Sequence, residues 1–346
     1  MSGAIDLLGK LAPATRERVA REYLSEMLTG KPAAGAHPGV ADIKALAQHE
    51  RSFGGILQAM ARGKGQMPVH ARTLLSSILG PALVELGKQY PLPVHRALCS
   101  VQAVPNYLEQ SFIGGFDALT VDPLSELSEF PVTSSDDIAF ELERGVVSQF
   151  GRVLRIPRRD VANDGNGLFF KNAGAALLAA AYRREATALY DLLEAGATLR
   201  DGQPWFDASN STTQSSALGA LEKGVELFAE QAYPNGEFVD NTPAVLVVPA
   251  SWLIRISDSL VDLALHLGRL TIIRTGRVQS GYLFAAPSAH PAVVLAGLSE
   301  DVMPQVETNT TPRMSLDVGL ELRISHSFGV VPVSRLGIVK MSLTGI

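Results

Sequence analysis

The chain has a single cysteine, Cys99, in 346 residues, so it can close no internal disulfide and can hold no metal on a set of thiolates. Charged residues make up only 19% and aromatic residues 6%. Charge this sparse suits a surface partly covered by copies of the same chain. No apolar run reaches 18 residues, and Arg255, Asp258 and Asp262 interrupt the strongest one, so no membrane-spanning helix is expected. The first twenty residues mix charges of both signs and lack the apolar centre of a secretion signal, which predicts a soluble protein made in a reducing compartment. Basic residues do not dominate either. Thirty stand against 35 acidic ones, a net charge of -5, which excludes a global footprint for non-specific nucleic-acid binding.

Catalytic signatures are also missing. The seven histidines are scattered without ligand spacing, and neither a Gly-x-Ser-x-Gly elbow nor a phosphate loop ending in Gly-Lys-Ser/Thr occurs. The run Gly145 to Gly151 contains no lysine. Cys99 reads as a small buried hydrophobe rather than a nucleophile. Asp136 and Asp137 are adjacent, and on a strand they would face opposite sides, which disfavours a shared cation. What is present is a hydrophobic content of 46%, enough for a substantial core, with 31 Gly and 20 Pro breaking the chain into segments.

Leu7, Leu8, Leu11, Val19, Leu24, Met27 and Leu28 recur at helical spacing, and further helices are expected over Ala41–Met60 and Val69–Leu79, the last two joined through Gly63-Lys64-Gly65. Two readings stay open for this region, a helical subdomain or an arm that packs on neighbours. Ile138, Phe140 and Leu142 alternate with acidic side chains, which predicts a strand, and Val146–Ile156 is expected as its hairpin partner. The charges are segregated here. Eight acids and no base lie between Asp117 and Glu143, while five arginines and no acid lie between Arg144 and Arg159. Asp136, Asp137, Glu141, Glu143, Arg144, Arg152, Arg155, Arg158 and Arg159 are therefore candidate contacts to another subunit, against the plainer reading of a solvated face. The arginines lack interleaved aromatics, so protein pairing is favoured over stacking on single-stranded nucleic acid.

Residues Phe169–Glu194 carry an apolar stripe without proline, a helix of about 35–40 Å that Gly196 should end. Asp207–Ser216 reads as a loop and Ser216–Ala232 as a helix with Leu221, Val225 and Phe228 on its face. Ala244–Val248 is expected as a doubly buried strand, with Pro249 opening a helix through Leu267, and Tyr282–Ala286 as a further strand. Met314, Leu316, Val318, Leu320, Leu322 and Ile324 alternate strictly, predicting a long strand that turns at His326–Gly329 and returns over Val330–Met341 as an edge strand interrupted at Pro332.

Several segments, in order, resemble the major capsid proteins of tailed bacteriophages with the HK97-like fold, closest to the Mu-like and prohead protease-fusion branch. They are Phe150-Gly151 leading to Ile156-Pro157-Arg158-Arg159-Asp160-Val161-Ala162-Asn163-Asp164, and the helix with Arg184-Glu185. After them come Gly196 to Gly202 with Trp205-Phe206 and Asn210, then Ala244–Ala250, Ala286-Pro287 and Gly319–Gly329. Ala208-Ser209 departs from the histidine and glycine the family often has before the asparagine, and the first ninety-odd residues match nothing in it. The resemblance covers residues 100 to 341.

It implies an α+β chain with a helical N-terminal arm over 1–111, an extended two-stranded loop over 112–160 and a peripheral domain with a spine helix over 161–240. An axial domain over 241–330 and a C-terminal strand over 331–346 returning to the periphery complete the plan. It further implies no catalytic residue and no cofactor. Assembly would be into pentamers and hexamers around double-stranded DNA, with scaffold, portal or decoration proteins as partners, no membrane, and the virion as location. Gly63, Gly65, Gly114, Gly115, Gly145 and Gly151 would let loop and arm bend between positions. No protease domain is expected in this length. An encapsulin-like cellular shell on the same fold and a soluble α/β enzyme are the rivals.

Overall fold

Alanine and leucine crowd residues 173–193, and in the computed structural model they form one helix, α1 (Leu168–Ala195). Alanine costs no side-chain entropy in a helix, so the segment is helical by composition as well as by pattern. Gly196, at φ 70, ends it and donates its N–H to the Leu192 carbonyl at 3.0 Å. The structure describes residues 91–116, 140–157, 168–233, 236–239, 241–252, 270–298, 302–309 and 318–344, with Ile256 and positions 15, 18, 19, 22, 23 and 26. The expected helices over Ala41–Met60 and Val69–Leu79, the glycines 63 and 65, and the candidate residues Asp136, Asp137, Arg158 and Arg159 lie outside these.

The chain divides into two units. The first takes Gln149–Arg183 and Met303–His326 together with the chain up to Pro91, and the second takes Leu92–Ser148, Arg184–Val302 and Ser327–Ile346. In the first unit β10 (Gln305–Asn309) runs antiparallel to β11 (Val318–Pro332), Val306 opposite Ile324 and Glu307 opposite Arg323, and β4 (Ser148–Pro157) also pairs with β11. Leu322, Ile324 and His326 are buried while Arg323 is exposed, the period of two expected from the sequence. Tyr182 of α1 donates to the Met303 sulfur at 3.2 Å and meets the His326 ring edge-on.

In the second unit, β1 (Ser100–Ala103) pairs in parallel with β9 (Val293–Gly297), which pairs antiparallel with the end of β11. A second sheet has the order β5-β12-β8-β6-β7, from β5 (Ser211–Gln214), β12 (Ile338–Leu343), β8 (Gly281–Phe284), β6 (Val245–Pro249) and β7 (Thr271–Thr275). Helix α2 (Ala217–Ala229) lies on it, started by Ser216, whose hydroxyl accepts the Gly219 N–H at 3.1 Å. Leu221 and Phe228 of α2 pack with Leu246, Val248, Trp252, Leu283, Val339 and Met341 in one buried cluster. All five residues of β6 are buried, as a strand covered on both faces must be.

Four expectations are corrected. The strand holding Glu143, β3 (Phe140–Gly145), pairs with β2 (Gln110–Phe116) and not with β4, so the acidic and basic limbs are not the arms of one hairpin. No turn occurs at His326–Gly329. His326 and Phe328 continue the inward set, so β11 runs on to Pro332, and a polar residue at an inward position hid the continuity. The last strand is not an edge. It lies between β5, a short strand inside the expected loop, and β8. Pro249 closes β6 rather than opening a helix, which begins at Ala250.

Candidate assembly surface

The ribbon β2–β3 is a sheet of its own, and its base is built into the second unit. Phe112 is 3% exposed and packs with Val104, Val147, Val294, Ala296, Val331 and Val333. Burying a phenylalanine ring of this kind contributes about 2–3 kcal/mol. The opposite face carries Ile113 and its cross-strand partner Leu142, of which Ile113 is 43% exposed. Three glycines suspected as bending points have a different task here. A Cβ on Gly145 would lie 2.1 Å from a Val331 methyl, one on Gly151 2.9 Å from the Ile324 carbonyl oxygen, and one on Gly114 closer still to the backbone of Val333. None of them needs a left-handed φ; what they need is the absence of a side chain. Gly115 follows a register irregularity in β2.

The expected extended loop over 112–160 includes the strands β2, β3 and β4 in its described part. Residues 112–116 and 140–157 form strands of the chain's own units, because Phe112, Val147 and Ile156 bury apolar side chains there. Only residues 117–139, outside the described set, connect β2 to β3.

Of the candidate contact residues, Glu143 accepts the backbone N–H of Arg200 on both carboxylate oxygens, at 2.9 and 3.1 Å. Arg144 pairs with Glu109 at 3.1 Å with both side chains about half exposed. Arg155 pairs with Glu321 at 2.7 Å. Arg152 is exposed on β4, and Glu141 stands opposite Gly115 in β3. Among the described candidates, Glu143, Arg144 and Arg155 thus have partners within their own chain.

Sequence reasoning missed a buried ionic cluster. Glu185 of α1 is 0% exposed. Its Oε1 receives the Arg96 Nε–H at 2.7 Å and lies 2.8 Å from His95 Nε2, and its Oε2 receives Arg96 Nη2–H at 2.7 Å. His95 and Arg96 belong to a single 3-10 turn, Val94–Leu98. The signal was available in the helix period: Glu185 falls on the same stripe as the buried Leu178, Tyr182, Leu189 and Leu193. Cys99 is buried beside this cluster, and burial first, then the Glu185 charge, pushes its thiol well above the ordinary range.

Residues Gly196 to Asn210, quoted above for their resemblance, form a lasso around the β11–β12 connection. Trp205 Nε1–H donates to the Ser334 carbonyl at 2.8 Å. Buried Asn210 donates to the Trp205 carbonyl at 3.0 Å and accepts the Asp207 N–H at 2.8 Å. Arg335 reaches back to both Asp201 oxygens, at 2.7 and 3.0 Å, and this pairing holds the Asp201 carboxyl below the usual range. Among the described residues no group of three or more His, Cys, Asp or Glu side chains could hold a metal ion, and no helix is long and apolar enough to cross a membrane.

Two mixed sheets, a long helix and a two-stranded ribbon anchored at its base define an α+β chain of capsid-like architecture. The chain belongs to the phage capsid protein family, which matches residues 142–341. Similar solved structures include the capsid of the cyanophage P-SCSP1u, 9% identical over 73% of this chain and 88% of that one, with a TM-score of 0.48. The capsid of Ralstonia phage GP4 is 13% identical over 71% and 87%, at 0.47. The mature capsid of bacteriophage PhiM1 is 12% identical over 74% and 88%, at 0.46. No curated protein matches the chain in sequence.

Proposed function

We propose that the chain is a major capsid protein of the HK97-like kind, of the Mu-like or protease-fusion branch, which self-assembles into pentamers and hexamers of an icosahedral shell around double-stranded DNA. The observation that carries this reading is the family match over residues 142–341, which begins inside β3. In this reading α1 is the spine helix, residues 161–240 form the peripheral domain and 241–330 the axial domain, and the extended loop within 112–160 reaches an adjacent copy. The work is assembly, not catalysis. Each copy makes several weak contacts at once, so modest individual affinities close a shell. The net charge of -5 keeps the wall from trapping packaged DNA. Scaffold, portal and decoration proteins are the further partners, and the virion is the destination.

Negative-stain microscopy and light scattering of the purified chain test the reading. Closed shells or rings of five and six copies are expected, and a monodisperse monomer at high concentration overturns it. The encapsulin-like alternative predicts shells holding an enzyme cargo instead of DNA.

A further inference from the structure

One non-glycine residue among those described has a positive φ: Val302, at 47. Its branched Cβ makes the left-handed region costly, so the conformation persists only where its surroundings hold it. Two contacts do so. Arg96 Nη2–H donates to the Val302 carbonyl at 2.6 Å, and the same guanidinium is fixed by the Glu185 carboxylate. The Val302 side chain, 1% exposed, lies over β9, where a Cβ on Gly297 would come within 2.6 Å of its Cγ1. Val302 is also the last residue of the second unit before the chain passes to the first.

We propose that Val302 is a conformational latch. Arg96, steadied by Glu185, holds residue 302 in the left-handed region, and release of that one hydrogen bond returns it to negative φ and gives residues 302–309 a second backbone path. The planar fork of an arginine is what serves a carboxylate and a carbonyl together. A lysine keeps the charge and a bond to Glu185 but cannot hold both acceptors in the same fixed geometry. The latch does not depend on the shell reading, since it acts within one chain.

Hydrogen–deuterium exchange on the full chain tests it. Arg96→Lys should speed exchange of the amides at 302, 303 and 305–309 about tenfold, the ratio set by the strain of a left-handed L-residue. Combined with Val302→Gly, for which the left-handed region carries no penalty, the same substitution should change exchange less than about threefold. Unchanged exchange in Arg96→Lys, or an equal acceleration in both backgrounds, overturns the latch. If Arg96→Lys does not accumulate as folded protein, the melting temperatures of Val302→Gly and Val302→Ala decide. Both lose the buried side chain, but only glycine relieves the strain, so the latch requires the glycine variant to melt higher. The reverse order, normal for a strain-free position, overturns it.

Discussion

Gly114 lies so close to Val333 that a Cβ on the glycine would stand 1.8 Å from the Val333 carbonyl oxygen and 2.4 Å from its carbonyl carbon. Both sides of this contact are backbone, and neither can move without dislodging β2 or the chain after β11. Gly114→Ala is therefore expected to cost at least the upper end of about 1–3 kcal/mol and to loosen the ribbon base around Phe112. Gly224 in α2 is the contrast. Its added Cβ would crowd the sulfur and, at 2.8 Å, the Cγ of buried Met341, an unbranched side chain rather than backbone, and alanine favours the helix by about 1 kcal/mol. Gly224→Ala should stay within about 1 kcal/mol of the parent in urea denaturation, and an equal loss in both variants would contradict the distinction.

Elements with a strong period were legible. The α1 range, its glycine stop, the doubly buried β6 and the inward set Leu322, Ile324 all follow from side-chain spacing. Pairing was not legible, because period two says which face of a strand is covered and nothing about its neighbour. Adjacency alone points from β3 to β4, whereas the ladder joins β3 to β2. Short strands such as β1 and β5 have too few residues to show a period at all. His326 misled because a polar letter at an inward position looks like a break. Of the candidate contacts, the segregation of charge was real, but spacing could not reveal that Glu143 would cap the turn at Arg200 or that Arg155 would find Glu321.

Glu185 should be among the least replaceable side chains of α1. Glu185→Ala removes the carboxylate addressed by His95 and twice by Arg96 and leaves a guanidinium deep in the protein, an arrangement that costs about 3–5 kcal/mol when a buried pair is broken. Glu185→Gln keeps the shape and one acceptor oxygen, so it should lose less. Thermal and urea unfolding of the two variants measure the order. A loss below about 1 kcal/mol for the alanine variant would show that the cluster is not held as described.

Asn210 joins three backbone groups of the lasso, with its amide on the Trp205 carbonyl and, at 3.4 Å, the Arg335 carbonyl, and its oxygen on the Asp207 N–H. Buried groups left unpaired cost about 1–3 kcal/mol each, and partial relaxation keeps the total for Asn210→Ala at about 2–4 kcal/mol. Indole fluorescence should report the change locally, since Trp205 is one of the two tryptophans. Loss of stability with an unaltered Trp205 environment would argue against the lasso as the cause.

Burial holds His290 below its ordinary pKa. The unfolded chain therefore takes up this proton first as pH falls, so His290 costs the fold nothing above about pH 6.5 and lowers stability progressively beneath it, until the folded form also protonates. In urea titrations from pH 7.5 downward, His290→Asn should flatten part of the decline that begins near pH 6.5. Asp201 acts lower on the scale. Its depressed folded pKa means that the stability it supplies with Arg335 is present above about pH 3.9 and disappears as pH falls through the folded value. A decline below pH 6.5 identical in parent and His290→Asn would remove His290 as its source.

Arg144 with Glu109 and Arg155 with Glu321 separate fold from assembly. Both arginines are more than half exposed, at 54% and 58%, so water and salt screen the pairs and each contributes under about 1 kcal/mol to the stability of one copy. Arg144→Ala and Arg155→Ala should thus melt within a few degrees of the parent. If the proposed shell uses these same groups between copies, the effect is multiplied over every contact the copy makes, and the critical concentration for assembly should rise severalfold at low salt while the difference narrows at high salt. Light scattering against protein concentration at two ionic strengths reads both quantities. A shift in melting temperature without a shift in assembly would assign the pairs to the fold alone, and would leave the contacts between copies to other surfaces, the exposed Ile113 of β2 among them.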